Sequence, residues 1–173
     1  MPDPEDIYEA IDALGVVSFQ GHCYRHIAVG RSPTSGLGAR EAGGRWNPRD
    51  SFPVLYTGLS TATVRAELAR LAKRMNVELT DLLPRRVYTL EASLSAVVDL
   101  RSRASLTAVG LSIADVQADD LTGCQGVGAA AHKLGREGIL APSATGIDDV
   151  LAIFELNLRP ASSLQVESFV EWP

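Results

Sequence analysis

The side chains that could do chemistry are concentrated between residues 36 and 67. This stretch carries a guanidinium, an indole, a phenol and a carboxylate, on Arg45, Trp46, Tyr56 and Glu67. Glycines at the start of the stretch, including a pair directly before Arg45, bend the backbone into turns. Because rigid elements reached through such turns can hold reacting groups in fixed geometry, the stretch predicts an active site.

A short strand and a helix are predicted to position Tyr56 and Glu67. Residues 53–58 read as the strand that carries Tyr56. Ser60 is a suitable N-cap for a helix that we expect to continue to about Met75. The turn, the strand and the helix would then each carry part of the site.

Glu67 has two interpretations on this helix. It lines up with Val64 and Leu71 on the edge of the apolar stripe, where a carboxylate could face a ligand. Alternatively, it forms an ordinary surface pair with Arg70, three residues further on, which would contribute little. The spacing alone leaves both interpretations open.

Arg25 lies in a second strand-like segment, residues 22–29. Alternation along a strand puts it on the face of Cys23 and Ile27, which is the more apolar face. A buried guanidinium without a partner is costly, so we expect it to meet a carboxylate, carbonyl groups or an anionic ligand. The alternative is an arginine that extends to water at the edge of a sheet.

Thr122 and Gln125 have the spacing of a capping box and predict a helix start. Small residues follow at 126–131, so another element or a ligand could approach this helix closely. Cys124, at the same helix start, is expected to be structural. Residues 138–144 predict a strand that ends in a Pro-Ser turn containing Ser143.

The remaining elements complete a mixed order of helices and strands. A first helix is expected from the Asp3 cap to about Leu14, residues 31–44 form a loop, and 102–120 contain short helix and loop. Further strands are expected at 16–19, 86–92, 96–101, 150–158 and 164–170. This order favours an α+β fold, with a mixed, mostly antiparallel sheet and flanking helices, over alternating βαβ units.

Composition excludes several classes of protein. The chain of 173 residues has the length of one domain, predicted to span 1–173, and a net charge of -5 argues against direct nucleic-acid binding. No apolar run reaches the roughly 18 residues of a membrane helix, and the acidic N-terminus does not read as a signal peptide. Two cysteines are too few for a disulfide framework, so a cytoplasmic location is expected.

The sequence gives little support for a metal site, a dinucleotide-binding loop or a serine nucleophile. His22 and His26 would lie about 13 Å apart on a strand, too far to share one ion, so no metal is predicted. The glycines at 36 and 38 lack the strand and helix that would frame a Rossmann loop. A catalytic triad through Ser143 has no local support.

Together these motifs resemble the RES-domain toxins of bacterial toxin–antitoxin pairs. In chain order they are an aromatic residue before an arginine (Tyr24–Arg25), a Gly-Gly-Arg-Trp-Asn-Pro turn (Gly43–Pro48), a strand with Tyr-Thr (Tyr56–Thr57), a helix with Ala-Glu (Ala66–Glu67), a Gln-Gly-Val-Gly helix start (Gln125–Gly128) and a Pro-Ser turn (Pro142–Ser143). The likeness covers about residues 22–160, the core of the predicted single RES domain.

The resemblance implies an ADP-ribosyltransferase-like fold and NAD+ as a substrate that is consumed, without a metal. Cleavage of the nicotinamide–ribose bond leaves an oxocarbenium-like ribose, which the Glu67 carboxylate could stabilise. Arg25 and Arg45 could clamp the pyrophosphate with forked hydrogen bonds. Tyr56 could stack on nicotinamide, with Trp46 shaping the wall.

Three further residues are implied as NAD+ contacts: Thr122, Gln125 and Ser143. Relatives carry a serine whose role either Ser143 or Thr122 could fill, and Ser143 is the favoured candidate. The implied catalytic residues are Glu67, Arg25 and Tyr56.

The resemblance leaves three functions open. The first is a toxin that depletes NAD+ with water or phosphate as acceptor, and the second is a mono-ADP-ribosyltransferase that modifies a protein target. The third is an NAD+- or ADP-ribose-binding module without activity. A toxin implies a partner, here an Xre-like, helical, DNA-binding antitoxin that blocks the cleft, and it is the antitoxin that would contact DNA.

Overall fold

A six-stranded sheet with flanking helices forms the part of the chain, residues 3–172, that the computed structural model describes. The strands are β1 (Val17–Ala28), β2 (Leu55–Gly58), β3 (Arg85–Asp99), β4 (Gly138–Pro142), β5 (Asp149–Ile153) and β6 (Ser163–Glu171). The helices are α1 (Pro4–Leu14), α2 (Leu37–Ala42), α3 (Thr61–Met75), α4 (Arg103–Ala108), α5 (Ile113–Gln117) and α6 (Thr122–Lys133), with 3₁₀ turns at Leu79–Leu82 and Glu155–Asn157. The predicted domain bounds, residues 1 and 173, lie outside the described residues.

The sheet closes on itself through β1. Its strand order is β1-β2-β5-β4-β3-β6, and β1 also pairs with β3 along almost its whole length. Between β1 and β2 only Tyr24 and Gly58 are paired, whereas β3 runs parallel to β4 from Val97 to Asp99. All the other pairings among the described strands are antiparallel. The predicted α+β fold with a mixed, mostly antiparallel sheet is confirmed.

Alternating residues along the strands build two cores on opposite faces of the sheet. On β2, Tyr56 packs against the core that also contains Trp46 and residues of α1, α4 and α6. Its neighbour Leu55 belongs to the second core, with Cys23 of β1 and buried residues of β3 and β5. The site strand β2 is therefore fixed from both sides.

Three helix boundaries test the capping predictions. The Asp3 side chain accepts a hydrogen bond from the Glu5 N–H and caps α1. Ser60 accepts from the Thr63 N–H and caps α3, which ends at Met75 as predicted. The capping box at Thr122 is wrong, because Leu121 is the N-cap of α6 and provides no side-chain hydrogen bond.

Two predicted pairs of strands are single long strands. The segments 16–19 and 22–29 merge into β1, and 86–92 and 96–101 merge into β3. Ser93 lies in the expected gap, but β3 continues through it because its neighbours Gln20 and Ser163 pair with it from both edges. Pairing partners distant in sequence therefore decide where these strands end.

Two further boundaries differ from expectation. The predicted strand 150–158 ends at Ile153 and continues as the 3₁₀ turn Glu155–Asn157. The predicted loop 31–44 contains α2. Within residues 3–172 no helix combines the length and the apolar character required to cross a bilayer.

Candidate active site

The four groups on which the predicted site depends, on Arg25, Arg45, Tyr56 and Glu67, line one cavity of about 320 Å³. Arg25 comes from β1, Tyr56 from β2 and Glu67 from α3, while Arg45 comes from the turn before β2. Elements separated in sequence thus bring the four side chains to one place.

The Gly-Gly turn is closed around the Tyr56 hydroxyl. This hydroxyl accepts a hydrogen bond from the Trp46 N–H at 2.8 Å and donates to Asn47 Oδ1 at 2.8 Å. A Cβ on Gly44 would lie 2.5 Å from the same oxygen, so the turn requires glycine there. Burial raises the pKa of Tyr56, which keeps the phenol neutral.

Asn47 and Gln125 hold this turn against the rest of the domain. Asn47 is fully buried, and its Nδ2 donates to the carbonyl oxygen of Ala39 at 2.8 Å. Gln125 Nε2 donates from α6 to the Gly44 carbonyl at 3.0 Å. Gln125, predicted as an NAD+ contact, therefore supports the turn that presents Arg45. Asn47 had no role assigned from the sequence beyond its place in the motif.

Trp46 lines the cavity, as predicted, and also belongs to the core beneath it. Its side chain is fully buried in the core between the sheet and the helices, and its Nε1 has no hydrogen-bond partner among the described residues. A Cβ on Gly128 of α6 would lie 1.9 Å from the Trp46 carbonyl oxygen. The small residues of α6 therefore admit another element closely, as expected, and that element is the Trp46 backbone.

Ser143 holds the Glu67 carboxylate in place. Its Oγ donates to Glu67 Oε1 at 2.7 Å, and the serine is fully buried in the turn after β4. Ser143 Oγ also accepts from the Thr145 N–H at 3.1 Å, and its own N–H donates to the Asp148 carbonyl. Because backbone groups of the following residues 145–148 fix the serine, the carboxylate is anchored to a hydrogen-bonded turn.

The alternative surface pair of Glu67 with Arg70 is wrong. Arg70 pairs instead with Asp119 at 2.9 Å and donates to the carbonyl oxygens of Ala144 at 3.3 Å and Gln117 at 3.1 Å. Its guanidinium is fixed against the segment between α5 and α6.

Arg25 binds a carbonyl group, one of the partner types expected inside the protein, and lies near a carboxylate. Its Nη1 donates to the Pro33 carbonyl at 3.1 Å. Burial lowers the pKa of Arg25 to about 10, and the nearby Glu155 carboxylate opposes that shift. Glu155 also accepts from the Gly36 N–H at 3.1 Å, so it fixes the loop beside Arg25. The guanidinium stays charged at neutral pH.

Arg45 is held by neutral groups. Its guanidinium donates to the carbonyl oxygens of Asp115 at 3.4 Å and Ala118 at 3.0 Å. These acceptors orient the side chain without neutralising its charge. Arg45 and Arg70 therefore bind the same segment, residues 115–119, from two walls of the cavity.

Two arginines of α3 line the cavity although the sequence analysis named Arg70 only as a surface partner of Glu67 and gave Arg74 no role. Arg70 and Arg74 follow Glu67 by three and seven residues, a spacing that places all three on one face of the helix. Of the described residues that line the cavity, four are arginines and Glu67 alone has a carboxylate. The helical spacing from Glu67 was the signal that could have found both arginines.

His26 is a further cavity residue without a predicted role. Its Nδ1 lies 3.2 Å from Arg85 Nη1, and because a guanidinium only donates, Nδ1 is the acceptor and Nε2 carries the hydrogen. Burial first, and then the charges of Arg85 and Arg25, lower the pKa of His26 to about 3. The ring is neutral at physiological pH.

Thr122 and Cys124 lie away from the cavity lining, at the start of α6. Thr122 is exposed, and its N–H donates to Asp120 Oδ1 at 3.0 Å. Cys124 is a buried free cysteine whose pKa is raised by burial. Within residues 3–172 no group of three or more His, Cys, Asp or Glu side chains is arranged to hold a metal ion.

Comparison with known proteins adds a family to this geometry. The RES domain matches residues 22–171. Proteins named NAD(+) phosphorylase MbcT, from Mycobacterium bovis and Mycobacterium tuberculosis, are 36% identical over 169 residues, which cover 96% of this chain and 90% of theirs. The crystal structure of the M. tuberculosis MbcT–MbcA toxin–antitoxin complex matches with a TM-score of 0.86 at 35% identity, over 97% of this chain and 92% of that one. This chain belongs to the RES domain family.

Proposed function

We propose that this chain is the toxin of a toxin–antitoxin pair and cleaves the nicotinamide–ribose bond of NAD+ by phosphorolysis. One observation carries the proposal: a single cavity gathers Arg25, Arg45, Tyr56 and Glu67 in a chain 36% identical, almost end to end, to NAD(+) phosphorylases. Phosphate is favoured over a protein side chain as acceptor because a phosphorylase transfers the glycosyl group to phosphate.

The reaction needs little acid–base chemistry. An oxygen of HPO₄²⁻ forms a bond to C1″ of the ribose, while the bond from C1″ to the nicotinamide nitrogen breaks. The bonding electrons go to that nitrogen and cancel its positive charge, so nicotinamide leaves neutral without a general acid. The product ADP-ribose 1″-phosphate then loses its remaining phosphate proton to solvent, because the second pKa of a phosphate monoester is about 6.

Glu67 supplies the charge that this transition state requires. As the nicotinamide bond lengthens, positive charge develops on the ribose ring, and a fixed carboxylate stabilises it. Ser143 donates to Oε1, which leaves Oε2 to face the sugar. Because the serine is already in place, the carboxylate does not have to reorganise during the reaction.

The other three groups bind the rest of the dinucleotide. Arg25 and Arg45 enter from different walls and can hold the two negative charges of the pyrophosphate with forked hydrogen bonds. Tyr56 presents its ring to the cavity, while its hydroxyl is committed to the Gly-Gly turn. Its contribution is therefore stacking on nicotinamide rather than proton transfer.

The test is product analysis with pure protein. NAD+ is incubated with and without inorganic phosphate, and nicotinamide and the ribosyl product are measured by mass spectrometry. We expect ADP-ribose 1″-phosphate to form only with phosphate, and Glu67→Gln to lower kcat by about 100-fold or more. The matched control is Glu41→Gln, which removes an exposed carboxylate outside the cavity lining.

Three results would point elsewhere. Free ADP-ribose at a rate independent of phosphate indicates a hydrolase. Nicotinamide release that requires an added protein indicates a mono-ADP-ribosyltransferase. Saturable NAD+ binding without nicotinamide release, with Glu67→Gln equal to the parent, indicates a binding module.

A toxin of this kind needs a partner that silences it. The related MbcT was crystallised in a toxin–antitoxin complex with MbcA. We propose an antitoxin partner for this chain, and more specifically an Xre-like, helical, DNA-binding protein that covers the cavity mouth. Purified partner should abolish NAD+ cleavage at an equimolar ratio, and undiminished cleavage in a stable complex would exclude covering of the cavity.

A further inference from the structure

We infer that Arg74, supported by Arg70, binds the inorganic phosphate that attacks the ribose. The inference rests on the proposed phosphorolysis and adds the residues that recruit its second substrate. Both arginines lie on α3, on the helix face that carries Glu67.

Phosphorolysis brings two anionic groups into the cavity, which requires more than one pair of positively charged side chains. A hydrolase would hold one anionic group, the doubly charged pyrophosphate of NAD+, and take water as acceptor. A phosphorylase must also hold HPO₄²⁻ beside it, and two anions at close range repel each other. The four arginines among the described lining residues, against the one carboxylate of Glu67, match the larger requirement.

The four arginines separate into two groups by position. Arg25 and Arg45 come from β1 and from the turn before β2. Arg70 and Arg74 lie about 4.5 Å and about 10 Å beyond Glu67 along the axis of α3. The acceptor oxygen must reach the ribose carbon beside Glu67. A helical side chain covers the turn N-terminal to its own Cα, so the long Arg74 side chain can extend along α3 toward Glu67 and hold phosphate on that side of the ribose.

The two arginines of α3 differ in whether their guanidinium donors already bind groups of the protein. Arg70 is largely buried and engaged with Asp119 and with the carbonyl oxygens of Gln117 and Ala144. It contributes a fixed positive charge to the cavity wall. Arg74 is exposed and forms no hydrogen bond or ion pair with residues 3–172, so its donors are free to bind an anion from solution.

The test measures each substrate separately in the full-length protein. Initial rates of nicotinamide release are recorded against phosphate at saturating NAD+, and against NAD+ at saturating phosphate. We expect Arg74→Gln to raise KM for phosphate by about tenfold or more and KM for NAD+ by less than about twofold. Arg74→Lys should recover most of the phosphate affinity, because it restores the positive charge. The recovery should be incomplete, because lysine lacks the forked donor geometry of the guanidinium.

The matched control is Lys73→Gln. It removes the same charge from the adjacent position of α3, which is also exposed but does not line the cavity. KM for phosphate should stay within about twofold of the parent value. A non-specific loss of positive charge would instead affect both variants similarly.

The outcomes separate this inference from the proposed function. An unchanged KM for phosphate in Arg74→Gln overturns the inference and leaves the proposed function intact. A KM for NAD+ that rises as far as the KM for phosphate also overturns only the inference, because Arg74 would then hold the dinucleotide. A parent protein whose nicotinamide release ignores phosphate overturns the proposed function first, and the inference with it.

Discussion

Ser143 and Glu67 lie 76 positions apart in sequence, and their hydrogen bond sets the geometry of the only acid in the described cavity lining. The serine is fully buried and its oxygen is also fixed by the Thr145 N–H. We propose that Ser143 positions Glu67 and does not contact NAD+. This assigns the family's serine role to Ser143, because Thr122 is exposed at the start of α6.

Replacing Ser143 by alanine should separate positioning from binding. The variant loses one hydrogen bond to a charged group, about 1.5–3 kcal/mol, so kcat should fall about 10- to 100-fold. KM for NAD+ should change by less than about threefold, because no substrate contact is removed. Steady-state kinetics with a melting curve for each variant provide the measurement.

Thr122→Ala serves as the control, because it removes a hydroxyl at the other candidate position. Its kcat should stay within about twofold of the parent value. A larger loss in Thr122→Ala than in Ser143→Ala, or a rise in KM for NAD+ without a change in kcat in the latter, would contradict the positioning role.

At the scale of single residues, the sequence was informative about chemistry and uninformative about partners. The types and motif spacing of Arg25 and Glu67 predicted groups that do share a cavity. The partner of Arg70, by contrast, is Asp119, 49 positions away, and no local pattern points to it. A pairing decided by tertiary folding leaves no trace in the spacing of neighbouring residues.

At the scale of elements, α6 provides the surface on which the Gly-Gly turn is built. Gln125 binds the turn, and Gly128 lets the Trp46 backbone lie against the helix. A helix interior normally disfavours glycine relative to alanine by roughly 0.5–1 kcal/mol. Glycine at position 128 therefore lowers the helix propensity of α6 but allows the Trp46 backbone to pack closely beneath the site.

Gly128→Ala should be strongly destabilising. The added Cβ would lie 1.9 Å from the Trp46 carbonyl oxygen, and because that atom is backbone, the turn or the helix must shift. We expect a loss of about 3 kcal/mol or more in the free energy of unfolding, together with reduced NAD+ cleavage. Urea denaturation followed by circular dichroism measures the first quantity.

The same helix offers a control in Gly126→Ala. There the nearest atom to an added Cβ is Ile7 Cδ1 at 3.9 Å, which is ordinary contact. Helix propensity then dominates, and the variant should be equal to the parent or more stable by up to about 1 kcal/mol. Equal destabilisation of both variants would show that the approach of Trp46 is not the cause.

Element boundaries were predictable where local caps decide them. The α3 helix begins after Ser60, whose side chain caps it, and ends at Met75, as its sequence indicated. The long strands β1 and β3 were not predictable, because polar positions such as Ser93 continue a strand only when partners pair with them. The start of α6 was predicted wrongly for a different, local reason, since Asp120 rather than Thr122 provides the side-chain hydrogen bond there.

At the scale of the whole molecule, the distribution of charge is more informative than its sum. The chain has a net charge of -5, yet the described cavity lining combines four arginines with one carboxylate. A positive cavity in an acidic protein attracts small anions to one place and keeps extended polyanions such as nucleic acid away from the rest of the surface. NAD+ and phosphate are both small anions of this kind.

The stability of the folded protein should fall between about pH 6.5 and 4.5, because two partly buried histidines resist protonation. Burial and two arginines lower the pKa of His26 to about 3, and burial lowers the pKa of His132, which is stacked on Phe52 at 3.9 Å. In the unfolded chain both titrate near 6.5, so below that pH the unfolded state binds more protons and gains stability. Carboxylates with a lowered pKa, such as Asp99 held by Arg101, contribute a similar loss only at lower pH.

Urea midpoints at pH 7.5, 6.0 and 4.8 should therefore decrease in that order, and His26→Gln should make the decrease shallower. A midpoint that stays constant over this range would show that the two rings accept protons in the folded state as readily as in water.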